Sequence, residues 1–166
     1  MKLTSKGRFA VTALVDLAIQ TDTINKPVSI SSIAYRQNIS INFLEQIFRM
    51  LKKQRIIKSV RGSSGGYLFN KDPSSVTVYD VIAATEEKLK INQCNENYGC
   101  ITKNKKTKCL THDLWSDLTK HILLFLESIS ISDIKTKNLN ASLFNNNSDL
   151  YYQKVGSLRW LMILYI

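Results

Sequence analysis

Three cysteines and a histidine stand close together in this chain: Cys94, Cys100, Cys109 and His112, spaced C-x5-C-x8-C-x2-H. The residues between them are polar and turn-forming, which predicts an exposed loop. Structural free cysteines are instead usually buried as small hydrophobes. Four soft or borderline donors in one loop suit zinc or an iron–sulfur cluster. Zinc sites commonly use paired C-x2-4-C knuckles, which are missing here, and the wider gaps fit a larger object such as a cluster. Lys103, Lys105, Lys106 and Lys108 lie between two of the donors. Their field favours thiolates and offsets the charge of a thiolate-ligated centre.

Such a loop needs a scaffold. The chain has 166 residues, a length that fits one domain or one small domain with an appendage. Lys and Arg number 23 against 13 Asp and Glu, a net charge of +10. That excess points to an anionic partner, nucleic acid first and an anionic membrane surface second. No apolar run is long enough for a transmembrane helix. The start, MKLTSKGRFAVTALVDLA, lacks the uninterrupted apolar block of a secretory signal. A cytoplasmic location is therefore expected, where an odd number of cysteines favours metal or redox roles over disulfides. No P-loop, dinucleotide-binding glycine pattern or nucleophile elbow is present, so an enzyme is not expected.

Residues 5–20 carry Phe9, Ala10, Ala13, Leu14, Leu17 and Ala18 at helical spacing. Thr4 or Ser5 can cap this helix, and Lys2, Lys6 and Arg8 gather at its start, where phosphate can be contacted. Pro27 and Val28 open a short extended segment. Two helices follow, roughly 31–37 and 41–54, parted by Asn38-Ile39-Ser40. The second places Ile41, Leu44, Ile47, Phe48 and Leu51 inward. It shows Asn42, Glu45, Gln46, Arg49, Lys52 and Lys53 outward. Two short helices with a three-residue turn, the second polar and basic outside, form the helix-turn-helix pattern.

Residues 56–61 read as a strand, Gly62-Ser63-Ser64-Gly65-Gly66 as a turn and Tyr67-Leu68-Phe69 as the return strand. A hairpin directly behind a helix-turn-helix is a wing. Arg61 stands at its tip and Lys58 on its shoulder. The glycines allow close approach to a duplex, and an arginine there can enter a minor groove. Residues 72–86 add a turn at Asp72-Pro73 and a helix through Val78, Val81 and Ile82, capped by Ser75 or Thr77. Up to residue 86 the chain holds twelve Lys and Arg against six carboxylates, so most of the positive excess lies there.

Beyond His112, residues 113–127 predict a long helix with Leu114, Trp115, Leu118, Ile122, Phe125 and Leu126 in a broad apolar stripe. So much apolar surface suits packing against a second copy, since dimeric readers match two-fold DNA sites. His121 on this helix reads as a surface or interface residue. The expected organisation is a winged domain at 1–86, a cysteine loop at 87–112, a dimerisation helix region at 113–134 and a variable tail at 135–166. The fold class is mainly α with a small β-hairpin. The apolar end of the tail, Ser157–Ile166, is too short to span a bilayer.

LTSKGRFAVTALVDLA, ISINFLEQIFRMLKK, SVRGSSGGYLF and CLTHDLW resemble the IscR-type iron–sulfur cluster regulators. These belong to a winged-helix family that also includes NsrR and CymR. The resemblance runs from Met1 to about Ile134. It implies a homodimeric transcriptional regulator that binds a double-stranded DNA operator and holds a 2Fe–2S cluster. The implied ligands are Cys94, Cys100, Cys109 and His112. The implied DNA readers are Asn42, Phe43, Glu45, Gln46 and Arg49, with Arg61 in the wing. Thr4, Ser5, Lys6, Lys53 and Gly62 complete the expected DNA-binding set. Control of cluster assembly genes follows from the same resemblance, with the assembly machinery as cluster donor. A nitric-oxide sensor with a 4Fe–4S cluster and a zinc-loaded interaction module are the competing readings. The family pattern has five residues between the second and third cysteines where this chain has eight. Loop-closure entropy rises by only about 0.4 kcal/mol for that lengthening.

Overall fold

The computed structural model describes residues 5–62, 64–85 and 110–137. Helix α1 (Ser5–Ile24) leads into α2 (Ile30–Gln37) and α3 (Ile41–Lys53). Strands β1 (Ile57–Val60) and β2 (Gly66–Phe69) follow, then a 3-10 turn at Pro73–Ser75. The later helices are α4 (Val78–Thr85), α5 (His112–Ser128) and α6 (Ile131–Lys135).

The turn between α2 and α3 is closed by Asn38, whose φ of 53° lies in the left-handed region that asparagine tolerates. The Ile39 N–H donates to the Ala34 carbonyl at 2.9 Å, which turns the chain sharply. Ile39 and Leu44 occupy the staple positions on either side of the first turn of α3, and both are in the core. Ser40 stands at the N-cap of α3, but its side chain makes no capping hydrogen bond. Ser29 does cap α2, accepting from the Ser32 N–H at 3.2 Å.

One core joins these elements. Ala10, Ala13, Leu14 and Leu17 of α1 meet Ile33 of α2 and Leu44, Ile47, Phe48 and Leu51 of α3. Two expected core residues are not there. Ile41 is 46% exposed, and Phe9 also lies at the surface. Ile41 is the first residue of α3, where the helix has just emerged from the turn and its inner side is already filled by Ile39 and Leu44.

The hairpin is antiparallel with Ile57 opposite Phe69 and Val60 opposite Gly66. Val28 adds a short third rung, giving and receiving backbone hydrogen bonds with Tyr67 at 3.0 and 2.8 Å. Phe48 of α3 meets the Tyr67 ring edge-on at 4.8 Å between centroids, so the wing is packed on the back of α3. A side chain at Gly66 would place its Cβ 2.5 Å from the Val28 carbonyl oxygen. This glycine therefore serves contact within the protein, whereas close approach to a duplex was its expected use.

Helix α4 is started by a reciprocal pair. The Asp80 N–H donates to Thr77 Oγ1 and the Thr77 N–H donates to the Asp80 carboxylate. After α5 the chain returns to the core, where Ile131 is fully buried and its N–H donates to the Val76 carbonyl at 2.9 Å. Helix α6 was not expected from the sequence. Its five residues are too few for a periodic signal, although Ser130 and Asp133 form a capping box. Lys135 of α6 pairs with Asp22 of α1.

Asp16 interrupts the apolar face of α1, yet it is only 6% exposed. The Arg36 guanidinium donates to it through Nε at 3.0 Å and through Nη2 at 2.5 Å, and Gln37 Nε2 donates at 2.5 Å. Hydrogen bonding to Asp16 raises the Arg36 pKa above its ordinary value, against the opposing effect of burial. This cluster locks the end of α2 to the middle of α1. Arg36→Ala leaves the Asp16 carboxylate buried with one partner fewer. A loss of about 1–3 kcal/mol in urea unfolding is expected, with the slope unchanged. Arg36→Lys recovers only part of it, because an ammonium cannot reproduce the two-pronged contact. A midpoint equal to that of the parent protein would show that the cluster is dispensable.

Candidate nucleic-acid interface

The outer face of α3 is available for contact. Asn42, Glu45, Gln46, Arg49 and Lys53 are all exposed. None of the five takes part in a side-chain hydrogen bond or ion pair among the described residues. Spacings of three and four bring them onto one face. Glu45 and Arg49 stand four apart, a spacing that allows a helix pair, yet no ion pair joins them. The face thus presents amide, carboxylate and guanidinium groups with their hydrogen-bonding capacity intact. Amides match adenine edges, guanidinium matches guanine and a carboxylate accepts from cytosine N4.

Phe43 differs from these neighbours. It is half-buried and its ring meets that of Phe9 edge-on at 5.8 Å. Its position therefore serves to brace α3 against the start of α1. Ser5 opens α1 and is exposed, and Lys6 is half-buried in its first turn. Thr4 lies outside the described residues. The Phe9–Phe43 pair holds this end of α1 beside α3, a relation that periodicity alone does not show.

The wing is tied to the same helix. Lys52 Nζ donates to Ser59 Oγ at 2.7 Å, so this lysine is engaged with β1 although its position in α3 suggested an outward cation. Arg61 and Gly62 are exposed at the hairpin turn. Gly62 adopts a φ of 118°, which a side chain would strain. Lys58 is exposed on β1. Tyr35 of α2, 89% exposed, is an aromatic side chain that no motif in the sequence marks. Its place beside the buried Ala34 was the available signal.

Of the expected ligands, His112 is the first residue of α5 and is half-buried. Cys94, Cys100 and Cys109 lie outside the described residues, as does the tail beyond 137. No group of three or more His, Cys, Asp and Glu among the described residues is placed to hold a metal ion. Within α5, His121 Nδ1 lies 2.7 Å from the Asp117 carbonyl oxygen. Leu114, Trp115, Leu118, Leu124 and Phe125 are exposed, Ile122 is half-buried and only Leu126 is buried. No helix among the described residues is long and apolar enough to cross a membrane.

Residues 3–137 match the Rrf2 family, described as "Iron-dependent Transcriptional regulator". Over 134 residues the chain is 44% identical to the HTH-type transcriptional regulator IscR of Klebsiella pneumoniae (strain 342). The match covers 81% of this chain and 79% of that protein. The IscR of Escherichia coli O1:K1 / APEC is 43% identical over the same share of this chain and 80% of its own. Among solved structures, T. potens IscR superposes with a TM-score of 0.67 at 32% identity, covering 83% of this chain and 88% of that one. CymR, the global cysteine regulator of B. subtilis, gives 0.68 at 26% identity, covering 82% and 98%.

Two substitutions separate base contact from charge. Arg61→Ala is expected to weaken binding to a specific duplex by about 1–3 kcal/mol. Lys53→Ala should weaken all duplexes alike and lower the salt slope by about one. A loss of only a few tenths for Arg61→Ala in a titration at fixed salt would make it a solvated wing tip.

Proposed function

The chain belongs to the Rrf2 family of transcriptional regulators, and from that premise we propose that it is an IscR-like, cluster-dependent regulator of iron–sulfur assembly genes. The single observation that carries the DNA-binding part is the uncommitted outer face of α3 with the wing packed directly behind it. In this reading α3 enters the major groove. Asn42 and Gln46 pair with adenine edges and Arg49 with guanine. Glu45 accepts from cytosine and disfavours sites that lack that donor. Lys6 and Lys53 contact phosphates, and Arg61 enters the minor groove of the flanking duplex.

The apolar stripe on α5 supports a homodimer. Leu114, Trp115, Leu118 and Phe125 are costly to leave in water and suit an isologous helix pair. Two copies of α3 then meet two half-sites of a palindromic operator.

Three thiols with one imidazole can hold zinc or a cluster, and the C-x5-C and C-x8-C gaps, wider than the C-x2-4-C knuckles of zinc sites, favour the cluster. Cys94, Cys100, Cys109 and His112 would hold a 2Fe–2S cluster, supplied by the assembly machinery. When bound, it supplies a one-electron centre sensitive to oxidants and iron supply. His112 also opens α5, which packs on α4 of the winged domain. A cluster held by His112 would fix the first turn of α5, and a chain without it would be free to change the spacing of the two copies of α3 and with it operator affinity.

Anaerobic purification should yield two irons and two sulfides per chain with visible absorption, and His112→Ala should bleach it. Colourless protein after reconstitution, with zinc bound, would overturn the cluster reading. Glu45→Ala should broaden the set of duplexes bound by cluster-free protein. Unchanged preference in a gel-shift comparison would remove Glu45 from selection.

A further inference from the structure

Ile41 is the one aliphatic residue on a face otherwise made of polar groups. It begins α3, and Glu45 and Arg49 follow it at intervals of four on the same stripe. It is 46% exposed, and the core is complete without it, since Leu44, Ile47, Phe48 and Leu51 are fully buried. Beside it, the Phe43 ring meets that of Phe9. The first residues of a recognition helix are those that reach base edges. In the major groove the base edges offer hydrogen-bonding atoms and one apolar group, the C5-methyl of thymine.

Resting on the reading of α3 as the recognition helix, we propose that Ile41 reads a thymine methyl and thereby sets one position of the operator half-site. The four residues from Ile41 to Glu45 advance about 6 Å along the helix. That is less than two base-pair steps of about 3.4 Å each. The thymine therefore stands within two base pairs of the pair that Glu45 contacts. Sequestering one methyl is worth about 0.8 kcal/mol, which converts to about a four-fold change in affinity per half-site.

The test uses the full chain and a duplex selected from a random library. Each thymine of the half-site is replaced in turn by deoxyuridine, which removes the methyl and leaves every hydrogen-bonding atom. Affinity is read by anisotropy at constant salt. One position is expected to lose three- to five-fold with the parent protein and to lose nothing with Ile41→Ala. Ile41→Val, which keeps a branched side chain, retains part of the sensitivity. Matching thermal melts show that the variants are folded. No sensitive thymine, or equal sensitivity in Ile41→Ala, would overturn the proposal. Failure to select any duplex would instead overturn the reading of α3 itself, and this proposal with it.

Discussion

Burial of the inner face of α3 is the constraint on which the other arrangements depend. Leu44, Ile47, Phe48 and Leu51 are wholly withdrawn from water, and they anchor the helix against α1 and α2. With a helical repeat of 3.6 residues, fixing one face fixes the direction of the other. The groups that face solvent along α3 are therefore aimed by apolar packing. No polar interaction needs to hold them, and their hydrogen bonds remain available to a ligand. Truncating any one of these four would cost both stability and aim, since cores tolerate lost volume poorly.

Phe48 extends that constraint to the wing. Its ring is shared between the core and Tyr67 of β2, while Lys52 one turn later reaches Ser59 of β1. Helix α3 and the hairpin are thus packed together as one unit. A two-stranded hairpin of this length is marginal by itself in water. Here it borrows stability from α3 and from the Val28 rung. Phe9 and Phe43 make a second contact of this kind, seating the start of α1 beside α3.

The buried Asp16 cluster has a different character. An ion pair withdrawn from water is seldom worth more than a well-packed apolar substitute. Its two-pronged geometry instead specifies a single orientation of α2 on α1. Orientation matters here because α2 carries the turn that launches α3. The apolar stripe of α5 stands outside all of this packing, touching the winged domain through α4. Such a division leaves most of the apolar stripe of α5 outside the core.

Periodicity alone determined α1 to α4, the hairpin and the long helix, because each is driven by a repeated apolar pattern or by glycine in a turn. Cysteine spacing and the polar face of α3 point, from residue types alone, to metal or cluster binding and to base contact. Tertiary structure decided what no local pattern encodes. Asp16 looks like a solvated interruption until Arg36, twenty residues away, is folded onto it. Phe43 and Lys52 look like outward residues until Phe9 and Ser59 engage them. Ile41 looks like core until Ile39 and Leu44 fill the space below it. Helix α6 escaped notice because five residues hold too little periodic signal, and its place depends on strand-like pairing with the segment before α4. The Asp16–Arg36 and Phe9–Phe43 contacts join residues distant in sequence, and they exist only once the core has brought the helices together.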